Sequence, residues 1–212
     1  MKITIVYDNT ALSSNLIEDW GFSCLVECEN RKILFDTGGK GGVLLNNLSA
    51  LQIDPETIDD VVISHPDFDH IGGLAHMLEI NETAAVHLPV SFRGVKSANR
   101  VIHYDRSTEI YTNIYCTGEL GEREQSLAIK TDKGIVLIIG CCHPGLDTII
   151  NSIDNLGNIY AVIGGLHGFA DFPLLEKTEK VCPTHCTQHA DEIKKFYPEK
   201  FLEGGAGRIL EL

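Results

Sequence analysis

The chain has 212 residues, 43% of them hydrophobic and 22% charged, which is ordinary globular usage and enough to bury a core without disulfide staples. Thirty acidic residues against 17 basic ones give a net charge of −13. That balance argues against tracking a nucleic-acid backbone and against an anionic membrane surface, and it is compatible with a site that collects metal cations.

In chain order, alternation predicts strands over Lys2–Tyr7, Gly21–Cys28 and Lys32–Phe35, with Glu29-Asn30-Arg31 turning the hairpin between the last two. Asp36-Thr37-Gly38-Gly39 ends the third strand, and a helix is expected near Val43–Leu51. Val61–Ser64 reads as a short buried strand running into His65-Pro66-Asp67-Phe68-Asp69-His70. Gly72-Gly73 then opens a helix with Ile71, Leu74, Ala75 and Leu78 as its apolar face. Ala84–Leu88 is another expected strand, and Ser91–Thr112 reads as a helix plus an extended excursion. Leu127–Thr131 and Gly134–Gly140 form a hairpin at Asp132-Lys133-Gly134. Pro144 starts a helix facing the core with Leu146, Ile149, Ile150 and Ile153. Tyr160–Ile163 is a buried strand, a helix is expected near Gln188–Tyr197, and Arg208–Leu212 is the last strand. No repeat or flexible linker interrupts the chain, so one domain over 1–212 is expected, of α/β or α+β class. No apolar run reaches the length of a bilayer span, and the N-terminus lacks the features of a signal peptide. The expectation is a cytoplasmic protein.

The pattern that carries chemistry is a buried strand followed at once by histidine. It occurs at His65, at Cys141-Cys142-His143, at Gly164-Gly165-Leu166-His167 and at Pro183-Thr184-His185-Cys186. Imidazole and carboxylate are ligands for zinc, iron and manganese. Positions 65 and 67 leave a loop on one side, and the adjacent pair 69 and 70 can face two neighbouring metal positions. The bland alternative is a polar turn with Asp69 capping the next helix. Seven cysteines in a chain of cytosolic character do not suggest structural disulfides. Cys24 and Cys28 read as small hydrophobes on a strand. Cys141, Cys142, Cys182 and Cys186 lie near histidines; they either pack beneath the ligand loops or supply thiolates. Arg93, Lys96, Arg100 and Arg106 form the one basic stretch, a solvated face or an anchor for a substrate anion.

Ser64-His65-Pro66-Asp67-Phe68-Asp69-His70-Ile71-Gly72-Gly73 resembles the H-x-H-x-D-H signature of the metallo-β-lactamase superfamily. Ile33–Gly38, Gly140–Gly145, Ile163–His167 and Pro183–Thr187 resemble its other motifs in order, and the last two are similar to a branch related to the archaeal dihydropterin–ribofuranosylaminobenzene phosphate synthase. The resemblance implies an α+β fold, a four-layer αβ/βα sandwich, and one or two divalent metal ions, zinc, iron or manganese. It implies His65, Asp67 and His143 at one position and Asp69, His70 and His185 at the other, with Asp69 also moving the proton of the attacking water. His167 stands as a further ligand or substrate contact, and Asp36 as a residue that orients a ligand histidine. There are two departures. Asp67 replaces the second histidine of the signature, a harder ligand that tilts the site toward iron or manganese. The bridging aspartate expected after Tyr160–Ile163 is absent. The function implied is a metal-dependent hydrolase of a small, possibly anionic, ester or phosphoester. A pterin-type transferase with a diphosphate leaving group is the alternative, and the short stretch between His167 and His185 counts against a large substrate. A non-hydrolytic iron protein is the third reading, motivated by Asp67 and the cysteines.

Overall fold

The computed structural model describes residues 1–95, 98–121 and 123–212. Two compact units emerge from the chain: Met1–Leu88 with Phe92–His103 and Gly204–Leu212, and Pro89–Ser91 with Tyr104–Glu203. Among the described residues, no helix is long and apolar enough to cross a membrane.

The first unit runs β1 (Lys2–Tyr7), β2 (Ser23–Cys28), β3 (Arg31–Phe35), α1 (Gly41–Ala50), β4 (Asp60–Val62), α2 (Phe68–Ile71), α3 (Leu74–Ile80), β5 (Ala85–Pro89) and β6 (Arg100–Tyr104). The second unit contributes β7 (Thr108–Tyr111), β8 (Ile114–Cys116), β9 (Leu127–Thr131), β10 (Gly134–Ile139), α4 (Leu146–Asn151), β11 (Ile159–Gly165), β12 (Lys180–Thr184) and α5 (Ala190–Phe196). The last strand, β13 (Ile209–Glu211), returns to the first unit and pairs with β1.

The sheet of the first unit has seven strands in the order β13-β1-β2-β3-β4-β5-β6. The β2–β3 hairpin turns with both Glu29 (φ 48°) and Asn30 (φ 58°) left-handed, as a two-residue type I′ turn requires. The next pairings, β3 with β4 and β4 with β5, are parallel. Helices α1 and α3 pack Leu44, Leu48, Leu74, Met77 and Leu78 against sheet residues such as Leu34, Val61 and Val86. Each such side chain stabilises the unit by about 1.5–3 kcal/mol on full burial. Buried Asn47 fastens α1 by donating to the carbonyls of Val6 and Ile17, each at 2.9 Å.

The sheet of the second unit has six strands in the order β12-β11-β10-β9-β8-β7. Its centre is parallel: β10 pairs with β11 and β11 with β12, and all three carry runs of buried residues. Such strands read as continuous apolar runs because both faces are covered. Leu146 and Ile149 of α4 and Ile193 of α5 share a core with Leu137, Ile139, Val162 and Val181.

Most expected elements are present, with shifted ends, and there are several differences. The helix after the ligand segment is two pieces, α2 and α3, on either side of Gly72–Gly73; its apolar face buries Met77 with Leu74 and Leu78, and Ala75 is exposed. Pro144 precedes the N-cap of α4, Gly145, and the helix starts at Leu146. Ile153 is buried beyond its C-terminal end, and Ile150 is only partly covered. The described part of Ser91–Thr112 holds β6 and β7 and no helix. Strand β8 was not expected.

Candidate metal centre

In the first unit the ligand segment follows from strand pairing. Because β3 and β4 are parallel, their C-terminal ends lie side by side, with Phe35 opposite Val62. Asp36 and Ser64-His65 therefore emerge as neighbours, at the carboxyl edge where α/β sheets place their sites. The Asp36 N–H donates to the Val62 carbonyl at 2.8 Å, and Asp36 itself adopts a left-handed conformation, φ 56°. A non-glycine residue held there signals a position fixed for a purpose other than local comfort.

The Asp36 carboxyl is a hub. Oδ1 accepts the Ser64 N–H at 2.7 Å. Oδ2 accepts the Ser64 hydroxyl at 2.7 Å and faces His70 Nδ1 at 2.7 Å. Asp36, Ser64, His65 and His70 are all fully buried. Ser64 has one hydroxyl proton and spends it on Asp36, so its Oγ accepts from His65 Nδ1, 2.8 Å away. Both histidines are thus held with the proton on Nδ1, which puts the lone pair on Nε2. His65 Nε2 lies 3.4 Å from Asp67 Oδ2, and His70 Nε2 lies 4.0 Å from Asp69 Oδ2. Lone pairs and carboxylate oxygens at such separations repel unless a cation or proton stands among them. The donor set suits a divalent metal.

The capping alternative does not describe this segment. Asp69 lies inside α2, and the N-cap position belongs to Asp67, whose side chain makes no cap hydrogen bond. Asp69 instead accepts from the Trp20 indole N–H at 2.7 Å. The chain passes so close here that a Cβ on Gly21 would stand 2.6 Å from the Asp69 carbonyl oxygen.

In the second unit, three parallel strands end side by side and each releases a candidate. His143 follows β10, His167 follows β11 and His185 follows β12. Cys142 (φ 65°), His167 (φ 44°) and His185 (φ 47°) are all left-handed. The rings of His143 and His167 are 5.2 Å apart, and both residues help line a cavity of about 270 Å³ with Cys142, Leu166 and Phe169. Fully buried Glu124 shapes the His143 loop: its carboxyl oxygens accept the N–H groups of Cys141, Cys142 and His143 at 3.0, 2.9 and 2.8 Å. Burial above all, then the charges of Glu124, Cys186 and Asp147, pushes the Cys142 thiol up to about 12, which keeps it protonated at neutral pH.

The remaining histidines have other surroundings. Buried His87 Nε2 meets Asp60 Oδ1 at 2.8 Å, and Asp60 also faces Arg31 at 3.4 Å. His76 and His103 are exposed, and His189 lies 3.3 Å from Glu192. Cys24 is buried as expected, whereas Cys28 is only half-buried. Arg93, Arg100 and Arg106 are exposed, Arg106 sits 3.8 Å from its neighbour Asp105, and Lys96 lies outside the described residues.

Known proteins resemble this chain along its whole length. A crystal structure described as a metal-dependent hydrolase of the β-lactamase superfamily superposes with a TM-score of 0.81 at 28% identity, covering 100% of this chain and 99% of that one. The chain has the metallo-β-lactamase fold. The metallo-β-lactamase superfamily model matches residues 21–93, the stretch that contains the whole Asp36–His70 hub. A metallo-β-lactamase fold protein from Bacillus subtilis aligns with a TM-score of 0.72 over 99% of both chains at 14% identity, which speaks for the fold alone. The 7,8-dihydropterin-6-methyl-4-(β-D-ribofuranosyl)-aminobenzene-5′-phosphate synthase of Methanocaldococcus jannaschii is 26% identical over 98% of this chain and 95% of its own length.

Sequence reasoning missed Ser64, Trp20 and Glu124. Each acts through hydrogen bonds to a partner far along the chain or to backbone, which leaves no local pattern. The hub sets what two ligand variants should do. His65→Ala and His70→Ala should each lower bound metal by elemental analysis, but they should differ in stability. His70→Ala strips a buried carboxyl of a partner and is expected to cost about 1.5–3 kcal/mol, read as a lower Tm in chelator. Equal metal content in both variants and the unmodified protein would remove the ligand assignment.

Proposed function

We propose that this protein is a metal-dependent hydrolase acting on a small ester, phosphoester or related substrate. The observation that carries the reading is the Asp36–Ser64 hub, which aims the Nε2 lone pairs of His65 and His70 toward Asp67 and Asp69. His65, Asp67, Asp69 and His70 of one unit, and His143, His185 and His167 of the other, are the proposed holders of one or two divalent ions. With an ion held by these residues, the site would supply a more acidic water and a polarised substrate oxygen. The chain's own contribution is positional. The buried hub keeps the imidazoles from turning, and the Trp20 N–H fixes Asp69 so that its carboxyl can take up the proton of the attacking water. The resemblance to a metal-dependent hydrolase at 28% identity supports the same reading.

The test is a panel of small esters, phosphoesters and phosphodiesters assayed with the unmodified protein, metal-stripped protein and Asp69→Asn. Stripping is expected to abolish turnover and added metal to restore it. Asp69→Asn should lower turnover by roughly a hundredfold, the scale of a positioned acid–base group. Equal turnover by stripped protein sinks the metal mechanism. A second reading, a pterin-type transferase with a diphosphate leaving group, is favoured by the 26% identity to the archaeal synthase over 98% of the chain. Coupling of a pterin methyl diphosphate to an aminobenzene nucleophile, with no turnover on the hydrolase panel, would select it.

A further inference from the structure

The second unit brings two cysteines into one donor set with His185. Cys141 Sγ, a ring nitrogen of His185 and Cys186 Sγ all lie within 4.8 Å of one another. Cys141 is buried at the end of β10, and His185 and Cys186 are half-buried just past β12. These strands flank β11, so the two loops meet above its end, and the residue of β11 between them is Gly165. A Cβ on residue 165 would stand 2.7 Å from Cys186 Sγ and 2.3 Å from the Gly140 carbonyl oxygen. The missing side chain is what makes room for the thiol. It is also here, just past Tyr160–Ile163, that the resemblance calls for a bridging aspartate, and Gly164-Gly165 at the end of β11 stands instead.

We propose that Cys141 and Cys186 are metal ligands together with His185, so that sulfur takes the place of the absent carboxylate and gives the second unit a soft, thiolate-bearing site. This rests on the metal-dependent reading above. Zinc bonds of about 2.3 Å to sulfur and about 2.0 Å to imidazole space tetrahedral ligand atoms roughly 3.5 Å apart, a small contraction from the present arrangement. The chemistry is coordination without redox change: each thiol gives its proton to solvent as the metal binds, and the metal–sulfur bond replaces the S–H bond. A Cys₂His set selects zinc or ferrous iron over manganese, so iron is the one metal that this set and Asp67 of the first unit both favour. The left-handed backbone of His185 (φ 47°) allows the adjacent ring and thiol to turn to one side.

The experiment uses the full chain, purified anaerobically under a phosphine reductant, stripped and reloaded with zinc or with cobalt(II). X-ray absorption of the zinc form is expected to need sulfur scatterers at about 2.3 Å. The cobalt form should show an intense near-ultraviolet thiolate-to-metal charge-transfer band. Cys141→Ser and Cys186→Ser should each lower that band by about half and weaken zinc by 10-fold or more, while Cys28→Ser leaves both unchanged. Metal bound through nitrogen and oxygen alone, with the band absent from the unmodified protein, overturns the thiolate site and leaves the metal-dependent reading standing. A stripped protein that takes up no metal under any of these conditions overturns both.

Discussion

Asp36→Asn is expected to fold and yet to bind metal about 10- to 100-fold more weakly than the unmodified protein, the usual cost of losing the partner that orients a ligand histidine. The argument is one of protons. Asparagine tolerates the left-handed conformation at position 36 (φ 56°) and keeps an oxygen for the Ser64 N–H. Its amide nitrogen then occupies the place of Oδ2 and donates where the carboxyl accepted. His70 must offer a lone pair from Nδ1, and Ser64 Oγ must accept, which frees the hydroxyl proton for His65 Nδ1. Both imidazoles shift their proton to Nε2, the nitrogen that points toward Asp67 and Asp69. Chelator competition reads the affinity, and nitrogen-15 NMR reads the tautomers with no metal present. Asp36→Ala goes further. It leaves the Ser64 N–H, the Ser64 hydroxyl and His70 Nδ1 buried without their acceptor, a loss expected to cost about 3–5 kcal/mol and roughly 10 °C or more in Tm. Unchanged tautomers and affinity in Asp36→Asn would refute the hub.

The sequence made the ligand segment legible because side-chain type and short spacing carry it. Histidines that follow buried apolar runs at His65, His143, His167 and His185 do stand at the ends of β4, β10, β11 and β12. Other features depend on facts that a linear reading does not hold. Asp36 meets Ser64 only because β3 and β4 pair in parallel with Phe35 opposite Val62. Cys141 and Cys186 approach because β11 ends in a residue without a side chain between them. Strands β6 and β7 read in the sequence only as an extended excursion beside a helix because they bury little: within Arg100–Tyr104 only Tyr104 is buried, and Thr108–Tyr111 has no buried residue. Without an apolar face there is no period-2 signal to read.

Glu124 is the clearest case of a residue invisible in sequence with a large expected effect. Its backbone is locked in a tight turn by the Leu120 N–H to Glu124 carbonyl bond of 2.8 Å and its return bond of 3.2 Å. Its side chain reaches 17 to 19 residues along the chain to three consecutive N–H groups. Those groups converge because Cys142 is left-handed (φ 65°), which folds the backbone into an anion-binding nest. By holding the His143 N–H, the carboxyl helps set the direction in which that residue leaves β10. Glu124→Ala leaves three donors, two of them buried, without their acceptor. At about 1–3 kcal/mol each, softened by entering water, the expected loss is about 3–5 kcal/mol. Glu124→Gln keeps an oxygen for Cys141 and Cys142 but sets its amide against the His143 N–H, at an expected cost of about 1–3 kcal/mol. Melting in excess chelator separates these losses from metal binding. Hydrogen exchange supplies the local reading: amides 141–143 should exchange faster in Glu124→Gln, while the β10 core amides stay protected. If those three amides exchange as slowly as before and Tm is unchanged in both variants, Glu124 is not what shapes the loop.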